Sequence, residues 1–238
     1  MAMSLTSIAS GLKQVLMKSV AEALGEDREG EYSGESNAEG KRHGWGVMKY
    51  SDGDTYKGNW VNGMAQGQGT YIFANGEKYV GGFQSNQYHG TGKRFYDVDG
   101  LEYFEGNFIK GERDRGKLIY ANGASHEGGY KANMCEGFGV FIDEDGGTYR
   151  GLYHEGLKHG HGVYAFADGV CFEGEWNQGT LEGQGKVVIK AVTHKGRFVE
   201  GAFKASFKAS GVTERDERTL RKKTVQLTTR YDYSSFGS

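Results

Sequence analysis

The chain has 238 residues, and its 29 Lys and Arg against 31 Asp and Glu leave a formal net charge of −2. So even a balance offers no bulk field for nucleic acid or an anionic membrane, and nucleic acid is excluded as a partner class. The 41 Gly with 0 Pro, 15 Tyr and 13 Phe show no G-X-Y period, so they point to glycine used at fixed places among large rings, for tight turns and close packing.

The N-terminal stretch, residues 1–31, opens SLTSIASGLKQVLMKSVAEALG, with Leu5, Ile8, Leu12, Val15, Leu16, Val20 and Leu24 at helical spacing. It predicts a short amphipathic helix packed on the body or on a partner. Its first 21 residues hold Lys13 and Lys18 and no acid, which gives organelle import by a transit-like segment as the minority reading. No stretch reaches the roughly 18 apolar residues that span a bilayer.

From Tyr32 a pattern recurs every 22 to 25 residues, starting at Tyr32, Tyr56, Tyr79, Phe104, His126, Tyr149 and Phe172, with a partial copy at His194. Two residues on stand Gly34, Gly58, Gly81, Gly106, Gly128, Gly151, Gly174 and Gly196. Two further on stand Ser36, Trp60, Phe83, Phe108, Tyr130, Tyr153, Trp176 and Phe198, of which only Ser36 is not aromatic. These positions share one face of a strand, and the glycine between two rings predicts a slot that receives a neighbouring ring. Each unit continues with a turn and a G-x-G, such as Gly67/Gly69 and Gly160/Gly162. Repeat four is one residue short and keeps only Gly116. A second apolar run follows, and the unit closes on Asp52-Gly53, Asn75-Gly76, Asp99-Gly100, Asn122-Gly123 or Asp168-Gly169, which are hairpin signals. Each unit therefore predicts one β-hairpin that buries its rings only by stacking on the next.

YKGNWVNGMAQGQGTYIFANG, residues 56–76, is similar to the MORN repeat (membrane occupation and recognition nexus), whose pattern is Y-x-G-x-W, then G-x-x-x-G-x-G and a later D/N-G. The resemblance covers about residues 32–203 and departs at His126, His194, Ser36 and the shortened GERDRG of repeat four. It implies an all-β fold: an elongated, twisted, single-layer array of about seven to eight stacked hairpins. A short N-terminal helix and a non-repeat tail, residues 204–238, flank this single domain.

The remaining motifs weigh toward ordinary roles. GERDRGKL, residues 111–118, fits the start of a P-loop but has Leu118 where Ser or Thr holds the metal, and no helix follows. It reads as a charged hairpin loop. The G-x-G pairs lead into strands, so they are not dinucleotide fingerprints. His43, His89 and His159 share one repeat position, but the repeats that carry them are too far apart for one ion. His159 and His161 read as exposed turn residues rather than a weak metal pair. Cys135 and Cys171 read as reduced thiols of an intracellular protein. No nucleophile, cofactor or metal site is expected. In the tail, Thr213 with Asp216 or Glu217 predicts a short helix start. Arg221, Lys222 and Lys223 read as a solvated helix end, with a lipid or acidic-partner contact as the rival.

Other proteins with MORN arrays include radial-spoke heads, junctophilins, plant phosphatidylinositol phosphate kinases and a SET-domain methyltransferase. The last two need a catalytic domain for which the tail is too short. The resemblance thus implies a non-enzymatic scaffold for protein–protein assembly in the cytoplasm, the cytoskeleton or a cilium (axoneme). Its protein subunits would be met through the N-terminal helix, the array's aromatic face and the tail, and a homo-oligomer fits as well. A phospholipid-binding module that tethers membranes is the alternative.

Overall fold

The computed structural model describes residues 24, 28–204, 218–220 and 222–223. Leu5, Ile8, Leu12, Val15, Leu16, Val20 and the helix start at 213–217 lie outside them. Leu24 is described and fully buried. The fold is all-β, and the antiparallel strands lie in sheet order as they lie in sequence. The chain divides into two compact units, residues 1–123 with 131–133, and residues 124–130 with 134–238. The division falls inside the stretch read as one domain. Strands that meet only their neighbours make local clusters of contacts, which is why one array resolves into two units.

The first unit holds β1 (Gly30–Ser36), β2 (Arg42–Tyr50), β3 (Thr55–Val61), β4 (Met64–Ile72), β5 (Lys78–Gln84), β6 (Gln87–Phe95), β7 (Tyr103–Ile109) and β8 (Glu112–Ile119). The second holds β9 (Ser125–Lys131), except Lys131, with β10 (Met134–Ile142), β11 (Thr148–His154), β12 (Leu157–Ala165) and β13 (Cys171–Asn177). It continues with β14 (Thr180–Ile189), β15 (Val192–Val199) and a three-residue β16 (Ala202–Lys204). The partial repeat at His194 is therefore an eighth hairpin with a short second strand.

Two kinds of connection alternate. Inside every hairpin but the first, which turns through residues 37–41, two residues suffice, both left-handed, as at Asn62-Gly63 (φ 49° and 90°) and Glu155-Gly156 (50° and 82°), and the joint at Lys190-Ala191 (49° and 64°) is of the same kind; this is the turn whose twist matches that of the strands. Between hairpins the D/N-G dipeptides sit in longer loops. At residues 50–54 the Asp54 carbonyl accepts from the Tyr50 amide at 2.9 Å and the Gly53 amide donates back to the Tyr50 carbonyl at 3.0 Å. The Asp-Gly signals therefore mark these joining loops, and the tight two-residue turns are elsewhere.

The two glycines of G-x-G have different tasks. The first sits left-handed (Gly67 φ 72°, Gly160 φ 59°) in a β-bulge. On β4, Gly69 faces Gly58 but Ala65 faces Trp60, so four residues oppose two. The second glycine continues the ladder. In repeat four Gly116 faces Gly106 and Arg113 faces Phe108, three against two. The missing residue has come out of the bulge, and the rest of the hairpin is unchanged.

Candidate interaction surface

The second glycine of each G-x-G lies directly opposite the glycine at position two of the strands beside it. In the first unit this makes one row: Gly34, Gly46, Gly58, Gly69, Gly81, Gly92, Gly106 and Gly116. In the second, Gly139, Gly151, Gly162, Gly174, Gly185 and Gly196 form the same row. The row is bare because rings lie on it. A Cβ on Gly58 would meet the Gly69 Cα and the Tyr56 hydroxyl, both at 2.6 Å, and one on Gly69 would meet the Tyr56 ring.

The slot therefore takes the ring of its own strand, not that of a neighbour. Side chains at positions zero and two share a face, so a ring tilted along the strand covers the next small residue. The reclining tyrosines end on a backbone acceptor. Tyr56 donates to the Asn59 carbonyl at 2.9 Å, Tyr79 to Gly82 at 2.9 Å and Tyr149 to Leu152 at 3.0 Å. Repeat seven departs from this arrangement: Gly185 is covered by Phe198 rather than Phe172.

Position-four rings meet position-zero rings edge to face. Trp60 stands 4.8 Å from Tyr56, and Phe83 stands 4.9 Å from Tyr56 and 5.2 Å from Tyr79. Trp176 stands 5.1 Å from Tyr149 and donates its indole N–H to the Gly162 carbonyl at 3.2 Å. Tyr56, Tyr79, Phe104, Tyr149 and Phe172 are buried, as are Trp60, Phe83, Phe108, Tyr130, Tyr153, Trp176 and Phe198. Tyr32, at the outer strand, is only half-buried and Ser36 is exposed. His126 takes the ring position in repeat five, buried, with Nδ1 2.7 Å from the Tyr130 hydroxyl. The aromatic face, expected as a partner surface, is closed by the packing that makes the core.

Several large apolar side chains left exposed lie on the opposite face; Val98 and Leu101 are in the loop between β6 and β7. Phe138 (61% exposed) stands across from Leu152 (42%), next to the buried Gly139–Gly151 step of the glycine row, and Trp45 (55%) stands across from Asn59. On the same face, at β14 to β16, Lys186 faces Lys195 and Arg197 faces Lys204; Glu173 bridges to Lys186 at 2.7 Å, and this pairing holds its carboxyl below the usual range.

Two cations whose surroundings the sequence does not show complete the picture. Lys158 is buried among Tyr149, Tyr164 and Trp176, its ammonium 4.9–5.0 Å from each ring. Burial pushes it down to about 7, with Asp143 acting the other way. Its signal in sequence was faint: the same position in other repeats carries Arg42, Ala65, Tyr88, Arg113, Cys135 or Leu181. Lys223, read as part of a solvated helix end, instead packs on the second unit. Its ammonium pairs with Asp168 at 2.8 Å and lies 4.0 Å over the Phe166 ring.

Among the described residues no three His, Cys, Asp or Glu converge as metal ligands, and no helix is long and apolar enough to cross a membrane. His43 and His159 are exposed and His89 is half-buried. Residues 111–118 form the turn and strand β8.

The family model for the MORN repeat matches residues 29–55, 56–78, 79–97, 126–148, 149–171 and 172–188, more than half of the chain. Residues 98–125, between two matches, fold as the same hairpin with the shorter bulge. No curated protein gives a significant match. Among solved structures, the SAS-4 (dCPAP) TCP domain of Drosophila melanogaster, in complex with a proline-rich motif of Ana2 (dSTIL), is similar at 13% identity and a TM-score of 0.42, covering 71% of this chain and 89% of that one. The TCP10 domain of Danio rerio CPAP, in complex with a STIL peptide, is similar at 9% identity and a TM-score of 0.39, covering 69% and 78%.

Proposed function

Because the chain belongs to the MORN-repeat family, we propose that it is a non-catalytic scaffold that assembles protein subunits, in a cytoskeletal or ciliary (axonemal) complex. The observation that carries this reading is the exposed Phe138–Leu152 pair on the face opposite the buried rings. Large apolar side chains left in water beside a rigid sheet are a cost that a partner's surface removes. The N-terminal helix and the tail are the further contacts proposed.

The test is native affinity purification with mass spectrometry, using the full chain, Phe138→Glu/Leu152→Glu, and a chain lacking residues 1–25. The reading expects subunits recovered with the full chain and lost from the double variant, whose β-rich circular dichroism stays intact. An unchanged set of recovered proteins in both variants refutes it.

A phospholipid-binding reading has one observation in its favour. Like charges directly opposite each other on a sheet repel; Arg197–Lys204 is such a pair with Lys195 beside it, while Lys186, opposite Lys195, is paired with Glu173. An anionic surface would relieve that repulsion. Sedimentation with phosphatidylserine vesicles, salt-sensitive and abolished by Lys195→Glu/Arg197→Glu, is the outcome this reading requires.

A further inference from the structure

The loops that join the hairpins carry a recurring pair of groups: an aromatic ring and, two residues on, an Asp before the turn glycine. Tyr50-Ser51-Asp52-Gly53 and Phe166-Ala167-Asp168-Gly169 are two copies. Their backbones close alike. The Phe166 amide donates to Val170 at 2.8 Å and the Gly169 amide to Phe166 at 2.9 Å, matching the bonds at Tyr50 and Gly53. In each the Asp also accepts from the amide two residues on, at 3.4 Å from Asp54 and 3.3 Å from Val170. Ring and carboxylate are thereby presented at a fixed separation.

Both copies hold a basic side chain from outside the repeats. In the first unit the Arg28 guanidinium lies 4.1 Å over the Tyr50 ring, bonds to Asp52 and reaches Asp54 at 3.1 Å. In the second, Lys223 sits over Phe166 and on Asp168 at the distances given above. One cation is an Arg just before the first repeat, the other a Lys from the tail. Two unrelated segments filling the same arrangement indicate that the loop selects the cation. Where the loop has Asn in place of Asp, at Phe73-Ala74-Asn75-Gly76, the ring is covered instead by Arg94 from the array itself, paired with Glu77.

We propose that the Phe166–Asp168 loop is a binding site for a Lys or Arg side chain of a basic protein segment, and that Lys223 is its resident occupant, which a partner's basic segment displaces. A cation over a ring and an ion pair open to water on one side are weak contacts; the Lys223 side chain is 13% exposed but Asp168 is 57% exposed, so a competing cation reaches the site from the carboxylate side. The tail holds the site because it is covalently joined to the array, which makes the occupant's binding intramolecular. The proposal deepens the scaffold reading by naming the chemistry of one contact.

The probe is a labelled peptide of residues 215–226, RDERTLRKKTVQ, titrated against the full chain at low salt and followed by anisotropy. Lys223→Gln empties the site and should bind the peptide at least ~5-fold more tightly than the unaltered chain. Adding Asp168→Asn to that variant should return binding to the unaltered level, and so should Phe166→Leu. Equal binding by the unaltered chain and Lys223→Gln, or binding indifferent to Asp168→Asn, overturns the proposal. Loss of the Phe138/Leu152 dependence in affinity purification would instead refute the scaffold reading and leave the titration standing.

Discussion

The Tyr149 hydroxyl donates to the Leu152 carbonyl at 3.0 Å, and the ring between them lies over Gly151 and Gly162. One side chain thus fills the gap over two glycines and satisfies a backbone acceptor three residues along its own strand. Tyr149→Phe keeps the first task and loses the second. It should cost about 1 kcal/mol in urea unfolding, a modest loss since Phe104 fills the same position in repeat four without a hydroxyl. Tyr149→Ala loses both tasks and should cost about 3–5 kcal/mol.

The two glycine tasks separate by substitution. Gly151 has no room: a Cβ would meet the Gly162 Cα at 2.7 Å, backbone that cannot step aside. Gly151→Ala should cost about 1–3 kcal/mol and Gly151→Asn at least as much. Gly183 has nothing within 4 Å but sits at φ +71°. There Ala should cost about 1–2 kcal/mol, while Asn, which tolerates the left-handed region, should be nearly neutral. Thermal unfolding of the four variants reads the contrast directly.

Trp176 is buried, stacked edge to face on Tyr149 and bonded to the Gly162 carbonyl. Trp176→Ala should cost about 3–5 kcal/mol. An unchanged melting temperature would contradict the ring packing of repeat seven.

Lys158 should make stability depend on pH. Burial pushes its ammonium down to about 7 in the folded chain, well below the ordinary lysine value it keeps when unfolded. Between those values the unfolded chain holds a proton that the folded chain lacks. The folded state therefore gains stability as pH rises from 7 toward 10, and the full penalty is present below 7. Lys158→Met removes the term. The stability difference between Lys158→Met and the unaltered chain should be largest at pH 6–7 and shrink by pH 9.5, measured by urea unfolding. A difference constant across that range would mean that the three ring faces hold the ammonium charged.

The sequence made the unit legible because the ring-glycine-ring spacing lies within one strand, where period-two geometry is fixed. The rings that this spacing singles out between Tyr56 and Phe198 are buried, and Gly151 has no room for a Cβ. The sequence could not show that Gly162 stands opposite Gly151, because that pairing depends on a bulge whose size is set by contacts across strands. The same blindness made the slot look ready for a neighbour's ring when Tyr149 itself fills it. Lys223 and Asp168, 55 positions apart, and Lys158 among three rings are tertiary facts with no local signature. Lys223 looked solvated because no spacing rule ties it to a loop in the sixth repeat.

The bulge of repeat four carries a consequence for how such a chain changes over generations. In a plain ladder, losing one residue from a strand would turn every later side chain to the wrong side of the sheet. Here three residues oppose two where the other repeats set four against two, and Gly116 still meets Gly106 with Leu118 still buried. The bulge acts as an expansion joint. Single-codon insertions and deletions at that point leave the phase of the sheet untouched, so repeats can drift in length one at a time while the stack that contains them survives.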